Sequence, residues 1–356
     1  FAFLWIAVEA TTLASAPLIY FHRHRRSLEA TWKYLLICSV GIALALLGNF
    51  FLVVAASHGA PHESPLLLST LVARADQLDP RWLRLAFVLL LVGYGTKMGL
   101  APLHTWLPDT HGEAPSVVSA LLSGALLNCA FLGVLRGLEV LTAAGQQTLG
   151  HRMLVVLGLL SMLTAAIFIV TQRDFKRMLA YSSIEHMGIL AIGVGLGAWF
   201  GALLHAFYHS LTKAMMFMVA GNVMETYQTR KIAEVSGVMR VLPVSGALWL
   251  AGFFAITGTP PFAPFTSQMI ILRVALERNP LVAVLYLILL GLVFVGMARV
   301  VLGMTQGPAP ATPAPRREPW ATWFSPLILA VLLLALGLWP PTPLQQALLQ
   351  ATPGGL

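Results

Sequence analysis

The stretch Leu85-Ala-Phe-Val-Leu-Leu-Leu-Val-Gly-Tyr-Gly-Thr-Lys-Met-Gly-Leu-Ala-Pro102 decides the fold. It opens on eight consecutive apolar residues, and with the residues before it forms a run of about twenty, the length that crosses a bilayer core. Gly93, Gly95, Gly99 and Pro102 then interrupt the run, and Lys97 stands on the interruption. Glycine and proline at membrane depth free backbone groups that need a partner, which is tolerated where they line a polar cavity. A second run is broken in the same way at Gly258-Thr-Pro-Pro-Phe-Ala-Pro264, five spans later. The pair is expected if the chain holds two five-helix repeats with a broken helix at the same place in each, an architecture that puts sites beside the breaks.

Working outward, apolar runs of similar length fall at roughly 1–21, 32–57, 82–103, 114–138, 152–171, 177–197, 199–224, 242–272, 280–304 and 320–340. Ten spans are therefore expected. They are too long and too uniformly apolar for barrel strands, so the predicted fold is an all-α polytopic membrane bundle. Composition agrees: 10% of the 356 residues are charged and 58% hydrophobic, with a mean hydropathy of +0.80. Soluble domains carry about 25% charged residues, which excludes an ordinary soluble enzyme. The net charge of +8 does not make a nucleic-acid reader, because the Lys and Arg residues sit in short loops rather than on one solvated face. Cys38 and Cys129 lie inside apolar runs without CxxC spacing, so no iron–sulfur cluster, zinc site or disulfide is expected.

Alternate loops beginning with 22–31 hold 11 basic residues: Arg23, Arg25, Arg26, Arg173, Lys176, Arg177, Arg230, Lys231, Arg240, Arg316 and Arg317. The other loops hold seven, which places the 22–31 loop in the cytoplasm. The Pro-rich segment 307–319 reads as an extramembrane linker. Phe1 opens the first span with no initiator Met, no basic leader and no cleavage site, so it does not read as a signal peptide and earlier spans are expected to be missing.

A few ionisable residues fall inside the runs. Glu9 lies midway along the first span, Lys97 on the first break and His186 after Glu185 in the sixth, while His205, His209 and Lys213 share one face of the seventh at i, i+4, i+8. A charge at the bilayer centre costs at least about 2.5–3.5 kcal/mol, so these groups must pair or line water. A static Glu9–Lys97 salt bridge, a satisfied core His186 and a metal held by His205 and His209 are the bland alternatives. No third carboxylate or thiol ligand shares the histidine face, so no metal is expected there. Lys33, at the start of the second span, can reach the headgroups, and Glu185 is left undecided. The functional reading is a proton relay. A buried lysine is pushed towards its neutral form, while a nearby carboxylate restores the charge. Moving or protonating Glu9 would thus switch Lys97 between holding and releasing its proton, with the histidines suited to intermediate steps.

Several long motifs are familiar. They are Glu9-Ala-Thr-Thr-Leu-Ala-Ser15, Ser27-Leu-Glu-Ala-Thr-Trp-Lys-Tyr-Leu35, and Lys97-Met-Gly-Leu-Ala-Pro-Leu-His-Thr-Trp-Leu-Pro-Asp-Thr-His111 with Glu113-Ala-Pro-Ser116. Asp174-Phe-Lys-Arg-Met-Leu-Ala-Tyr-Ser-Ser-Ile-Glu-His-Met-Gly188 and His209-Ser-Leu-Thr-Lys-Ala214 continue them to about residue 270. The sequence resembles the antiporter-like membrane subunits of respiratory complex I, cation/proton antiporters and membrane-bound hydrogenases, most of all the hydrogenase-4 component F branch. That resemblance implies two inverted five-helix repeats, most of the first in 1–138 and the second in 139–304, followed by a linker and final span in 305–356. It also implies a multi-pass protein of a prokaryotic plasma membrane. The expected setting is a proton-moving subunit, free of cofactors and redox centres, beside other membrane subunits and a peripheral redox arm. Glu9 is then the switching glutamate, Lys97 its partner, His186 a link between halves, and His209 with Lys213 the second half-channel. Lys33 and His205 match the pattern less strongly.

Two positions depart from that pattern. Asn128 stands where several relatives have Lys, and Ser267-Gln268 where many have Glu, Lys or Asp. Asn and Gln can hydrogen-bond a water chain but store no proton, so the exit from Lys213 is expected to differ. The alternatives to proton transport are a cation/proton antiporter or ion-driven bicarbonate uptake subunit, a structural bundle, and a membrane enzyme built on His104, Asp109, His111 and Glu113. A sodium path prefers carboxylate and carbonyl oxygens, whereas this path is mainly Lys and His.

Overall fold

The computed structural model describes residues 1–57, 66–308 and 318–352, and they fold almost wholly as helices. In order these are α1 (Ala2–Ile19), α2 (Arg25–Ala56), α3 (Leu68–Ala73), α4 (Pro80–Met98), α5 (Trp106–Glu113), α6 (Ser116–Leu121), α7 (Leu127–Ala143) and α8 (Gln147–Thr171). They continue as α9 (Phe175–Gly195), α10 (Trp199–Tyr227), α11 (Val238–Val241), α12 (Pro243–Ile256), α13 (Ala263–Arg278), α14 (Pro280–Gln306), α15 (Trp320–Leu338) and α16 (Thr342–Gln350). Among the described residues the only extended pairing is one bridge between Asp174 and Lys231.

Seven helical segments are long and apolar enough to cross a membrane: α1, α2, Ser116–Ala143, α8, α9, α14 and α15. The segment Ser116–Ala143 joins α6 to α7 through five residues of π-helix, Leu122–Leu126. The other three predicted spans are α4, α10 and the pair α12–α13, which carry Lys97, the His205–Lys213 row and the second break. The chain is a multi-pass membrane protein. α2 starts seven residues before its predicted bound, because His24 caps it: its side chain accepts from the Ser27 N–H while Ser27 accepts from the His24 N–H. Arg316, Arg317 and most of the 307–319 linker lie outside the described residues.

Both breaks are built alike. Gly99 and Gly258 adopt φ of +84° and +65°, a region open to glycine because it has no Cβ. At the first, Gly99 N–H donates to Thr96 O (3.1 Å), Leu100 N–H to Gly95 O (2.9 Å) and Leu103 N–H to Leu100 O (2.9 Å). At the second, Gly258 donates to Ala255 O (3.1 Å), Thr259 to Phe254 O (2.8 Å) and Phe262 to Thr259 O (3.1 Å). The same offsets thus satisfy the carbonyls at both helix ends. Ala101–Pro102 and Pro260–Pro261 are cis.

Small residues set the helix spacing. A Cβ on Gly93 would lie 2.6 Å from the Ala45 nitrogen and the Gly41 oxygen, so α4 meets α2 backbone to backbone. Gly158 and Gly188 bring α8 and α9 together in the same way, each within 2.7 Å of the other's oxygen had it a Cβ. Such contacts replace the hydrophobic drive that lipid does not supply. α9 is the centre of the bundle, with every residue from Phe175 to Gly195 buried except Arg177.

On one face, ion pairs tie the loops together: His24–Glu113 (3.6 Å), Lys33–Asp109 (3.0 Å), Arg177–Asp109 (3.1 Å), Arg230–Glu113 (2.5 Å) and Arg230–Asp174 (2.9 Å). These are the alternate loops that the charge count groups together.

Candidate functional site

Lys97 ends α4 just before the first break and is wholly buried. Its ammonium donates to Thr12 Oγ1 (2.8 Å) and the Tyr34 hydroxyl (2.6 Å), and lies 4.4 Å from the Tyr34 ring centre. The Tyr34 hydroxyl in turn shares a 2.6 Å hydrogen bond with Ser15 Oγ. Trp106, from beyond the break, donates its indole N–H to the Thr96 carbonyl (2.8 Å) and so fastens the helix end. Thr12 and Ser15 also bond carbonyls of their own helix, which makes hydroxyls tolerable in an apolar span.

Glu9 and Lys97 form no direct ion pair. Glu9 Oε1 accepts from Ser39 Oγ (3.0 Å), and its Oε2 has no protein partner. The static salt bridge is therefore not what the structure contains; Thr12, one turn along α1 from Glu9, supplies the oxygen that Lys97 holds. Each is held by hydroxyls of its own, Glu9 by Ser39 and Lys97 by Thr12 and Tyr34.

In the second cluster the wholly buried Lys213 donates to the Leu179 carbonyl (2.7 Å) and to Ser182 Oγ of α9. One turn back on α10, His209 has neither ring nitrogen bonded to protein, and its ring centre lies 5.2 Å from that of His186. His186 Nδ1 meets His205 Nε2 at 2.9 Å, and His205 Nδ1 meets Ser267 Oγ at 2.9 Å. The structure thus brings four predicted residues into one buried row, Lys213–His209–His186–His205, ending at Ser267 of α13 just past the second break. Gln268 is buried beside it with its amide nitrogen unbonded to protein. Glu185, next to His186 on α9, is also buried. A neutral imidazole has one donor and one acceptor nitrogen, so the bonded stretch His186–His205–Ser267 can hand a proton along, while His209 adjoins it without a direct hydrogen bond.

The remaining sequence candidates are dispersed. Lys33 is half exposed and pairs with Glu29 (2.7 Å) and Asp109 (3.0 Å), outside either cluster. Asn128, beside the π-turn, donates to Ser210 Oγ (2.7 Å) and the Ala206 carbonyl (3.1 Å), locking α7 to α10. The four residues of the enzyme alternative do not meet as a site. Asp109 pairs with Lys33 and Arg177, Glu113 with Arg230 and His24, His111 stacks on Phe217 with ring centres 4.9 Å apart, and His104 lies against Tyr181 at 6.4 Å.

Sequence reasoning missed Thr12, Tyr34 and Ser182, although a hydroxyl one turn from an embedded acid was a usable signal for Thr12 and Ser182. It also counted Lys176 as a loop residue. Lys176 is in fact buried in the first turn of α9, which Asp174 caps by accepting from the Lys176 and Arg177 N–H groups (2.8 and 3.1 Å). Burial pushes the Asp174 carboxyl above its usual range, against those two N–H donors and the Arg230 charge.

Comparison with known proteins fits this geometry. The chain is 41% identical over 284 residues to the hydrogenase-4 component F homolog of Methylacidiphilum infernorum, covering 79% of this chain and 60% of that protein. It is 31% identical over 289 residues to NADH-quinone oxidoreductase subunit N of Desulforudis audaxviator, covering 80% of this chain and 56% of that one. The chain thus spans little more than half the length of these relatives. Its fold matches a chain of an archaeal respiratory complex, the membrane-bound sulfane sulfur reductase, with a TM-score of 0.88 at 23% identity over 98% of this chain and 70% of that one. Residues 1–294 match the family described as "NADH:quinone oxidoreductase/Mrp antiporter, TM", and the chain belongs to that family.

Proposed function

We propose that this chain moves protons through the membrane along its buried lysines and histidines. It would do so as an antiporter-like subunit of a redox-driven complex of the hydrogenase-4 or complex I type, in a prokaryotic plasma membrane. The observation that carries the reading is the buried group Lys213, His209, His186, His205 and Ser267, hydrogen-bonded from His186 through His205 to Ser267. A structural core has no use for a lysine and three histidines packed together, because each loses hydration that a leucine would not miss.

In this reading Glu9 and Lys97 are the first half-channel and Lys213 with His209 the second. The matched hydrogen-bond pattern of the two breaks supports a division into two repeats at about residue 138. Acids are few along the path, the half-buried Glu9 and the buried Glu185 among the described residues, which favours protons over sodium. The names of the relatives favour attachment to further membrane subunits and a peripheral redox arm, and the basic ion-pair face is the side we assign to the cytoplasm.

The test is driven proton movement in vesicles carrying the whole complex. Lys97→Ala and Glu9→Ala should abolish it while the complex still assembles. Retained pumping in both variants would overturn the relay.

A further inference from the structure

On the face that carries the loop ion pairs, a cavity of about 1010 Å³ lies between α6, α10 and α15. Its rim includes exposed His22 and Ser325, while the buried Lys176 and Ser116 line it within. Lys176 has three N–H donors, yet the structure gives its ammonium one protein acceptor, the Ala114 carbonyl at 2.5 Å. A buried cation leaves donors unbonded only at a high cost, so the remaining two call for water from the cavity. Ser116 Oγ likewise has no protein partner.

Inward of Lys176 stands His111, wholly buried on the face of Phe217, with both ring nitrogens unbonded to protein. Phe217 follows Lys213 by one turn of α10, so His111 is placed over the same helix face. Lys176 bonds the Ala114 carbonyl, three residues along the chain from His111. Beyond it comes His209, again with both nitrogens unbonded to protein. A neutral imidazole in a dry pocket would forfeit two hydrogen bonds. These orphaned atoms lie in order between the cavity and the lysine–histidine row.

We propose that the cavity is a water-filled inlet that loads Lys213 from the ion-pair face through Lys176 and His111. The idea rests on the proton-relay reading and names its port. Each step is one proton transfer. An N–H bond of Lys176 breaks as one forms on a His111 nitrogen, His111 passes its proton to Lys213, and cavity water restores Lys176. An anionic lipid headgroup is the poorer occupant. Arg230 is already held by Glu113, Asp174 and the Gly112 carbonyl, Lys176 is buried beneath the rim, and Glu225 adds negative charge to the lining.

The experiment uses the assembled complex in vesicles with exposed Cys129 replaced by Ser, leaving buried Cys38 in place. Met218→Cys puts a thiol on the cavity wall. We expect normal driven proton movement before treatment and loss of most of it after a cationic methanethiosulfonate reagent is added from the ion-pair face. His111→Ala should cut transport about a hundredfold, the scale of a lost proton-transfer group, with assembly intact. Pumping that survives complete modification of Met218→Cys overturns the inlet, as does a thiol that never reacts, or one that reacts only after lipid is extracted. If Lys97→Ala is dead while the modified protein pumps, the inlet alone fails. If Lys97→Ala pumps as well, the relay fails with it.

Discussion

The two buried lysines solve one problem with different surroundings. Lys97 is held by hydroxyls of α1 and α2 and lies against two aromatic rings. Lys213 is held by one hydroxyl and one backbone carbonyl of a single helix, with a histidine one turn away. Hydroxyls both accept and donate, so the Lys97–Tyr34–Ser15 chain can reverse its direction. A carbonyl only accepts, so Lys213 is pinned on one side and open towards the histidines. The acids differ as well. Glu9 of α1 bonds Ser39 and makes no ion pair with Lys97, whereas Glu185 is fixed in the central α9. The first site has the parts of a switch and the second those of a conduit.

The sharpest way to break this contrast is to replace each lysine by arginine, which keeps the charge but does not release its proton. Lys97→Arg and Lys213→Arg should each reduce vesicle proton movement about a hundredfold or more. A site that tolerates arginine is a fixed charge and not a carrier. Helix spacing comes next. Gly93→Val and Gly188→Val should each cost about 1–3 kcal/mol in detergent unfolding, because each glycine allows a backbone contact between neighbouring helices. A loss confined to one variant would show that the two seams are not held alike. Removing single hydroxyls is gentler. Tyr34→Phe and Ser182→Ala should each slow transport about tenfold, the scale of one hydrogen bond to a charged group, and Tyr34→Phe should lose more if its hydroxyl is part of the switch. Smallest of all, Gln268→Glu should leave ion flux unchanged or raise it, since the side chain lies beside the end of the histidine row. A dead variant would contradict an exit at that end.

Much of this was legible in the residues. Spans, both breaks and the embedded charges follow from apolar runs and the few exceptions within them. His205 and His209 share a face by spacing alone, but the central place of His205 depends on His186 and Ser267, 19 and 62 residues away. No local pattern encodes such contacts. Lys33, the weaker relay candidate at a span start, pairs with Asp109, a partner 76 residues on that its own segment does not disclose. Lys176 sits between Arg173 and Arg177 and reads as a loop base, yet packing over the first turn of α9 removes it from water. Helix ends were displaced where a side chain caps the backbone, as His24 does for α2.

The enclosure of α9 has a consequence for how the protein is made. It is the least apolar of the seven helices suited to crossing a membrane, and in the finished bundle it is almost wholly covered by protein. Such a segment gains little from leaving the translocation machinery for lipid alone. Its neighbour α8 is far greasier and is joined to it by the glycine seam at Gly158 and Gly188. The two should therefore enter the bilayer as a hairpin, with α8 as escort. Loosening that seam would then show up during biogenesis, as failed insertion of newly made chains, before any defect in transport could be seen.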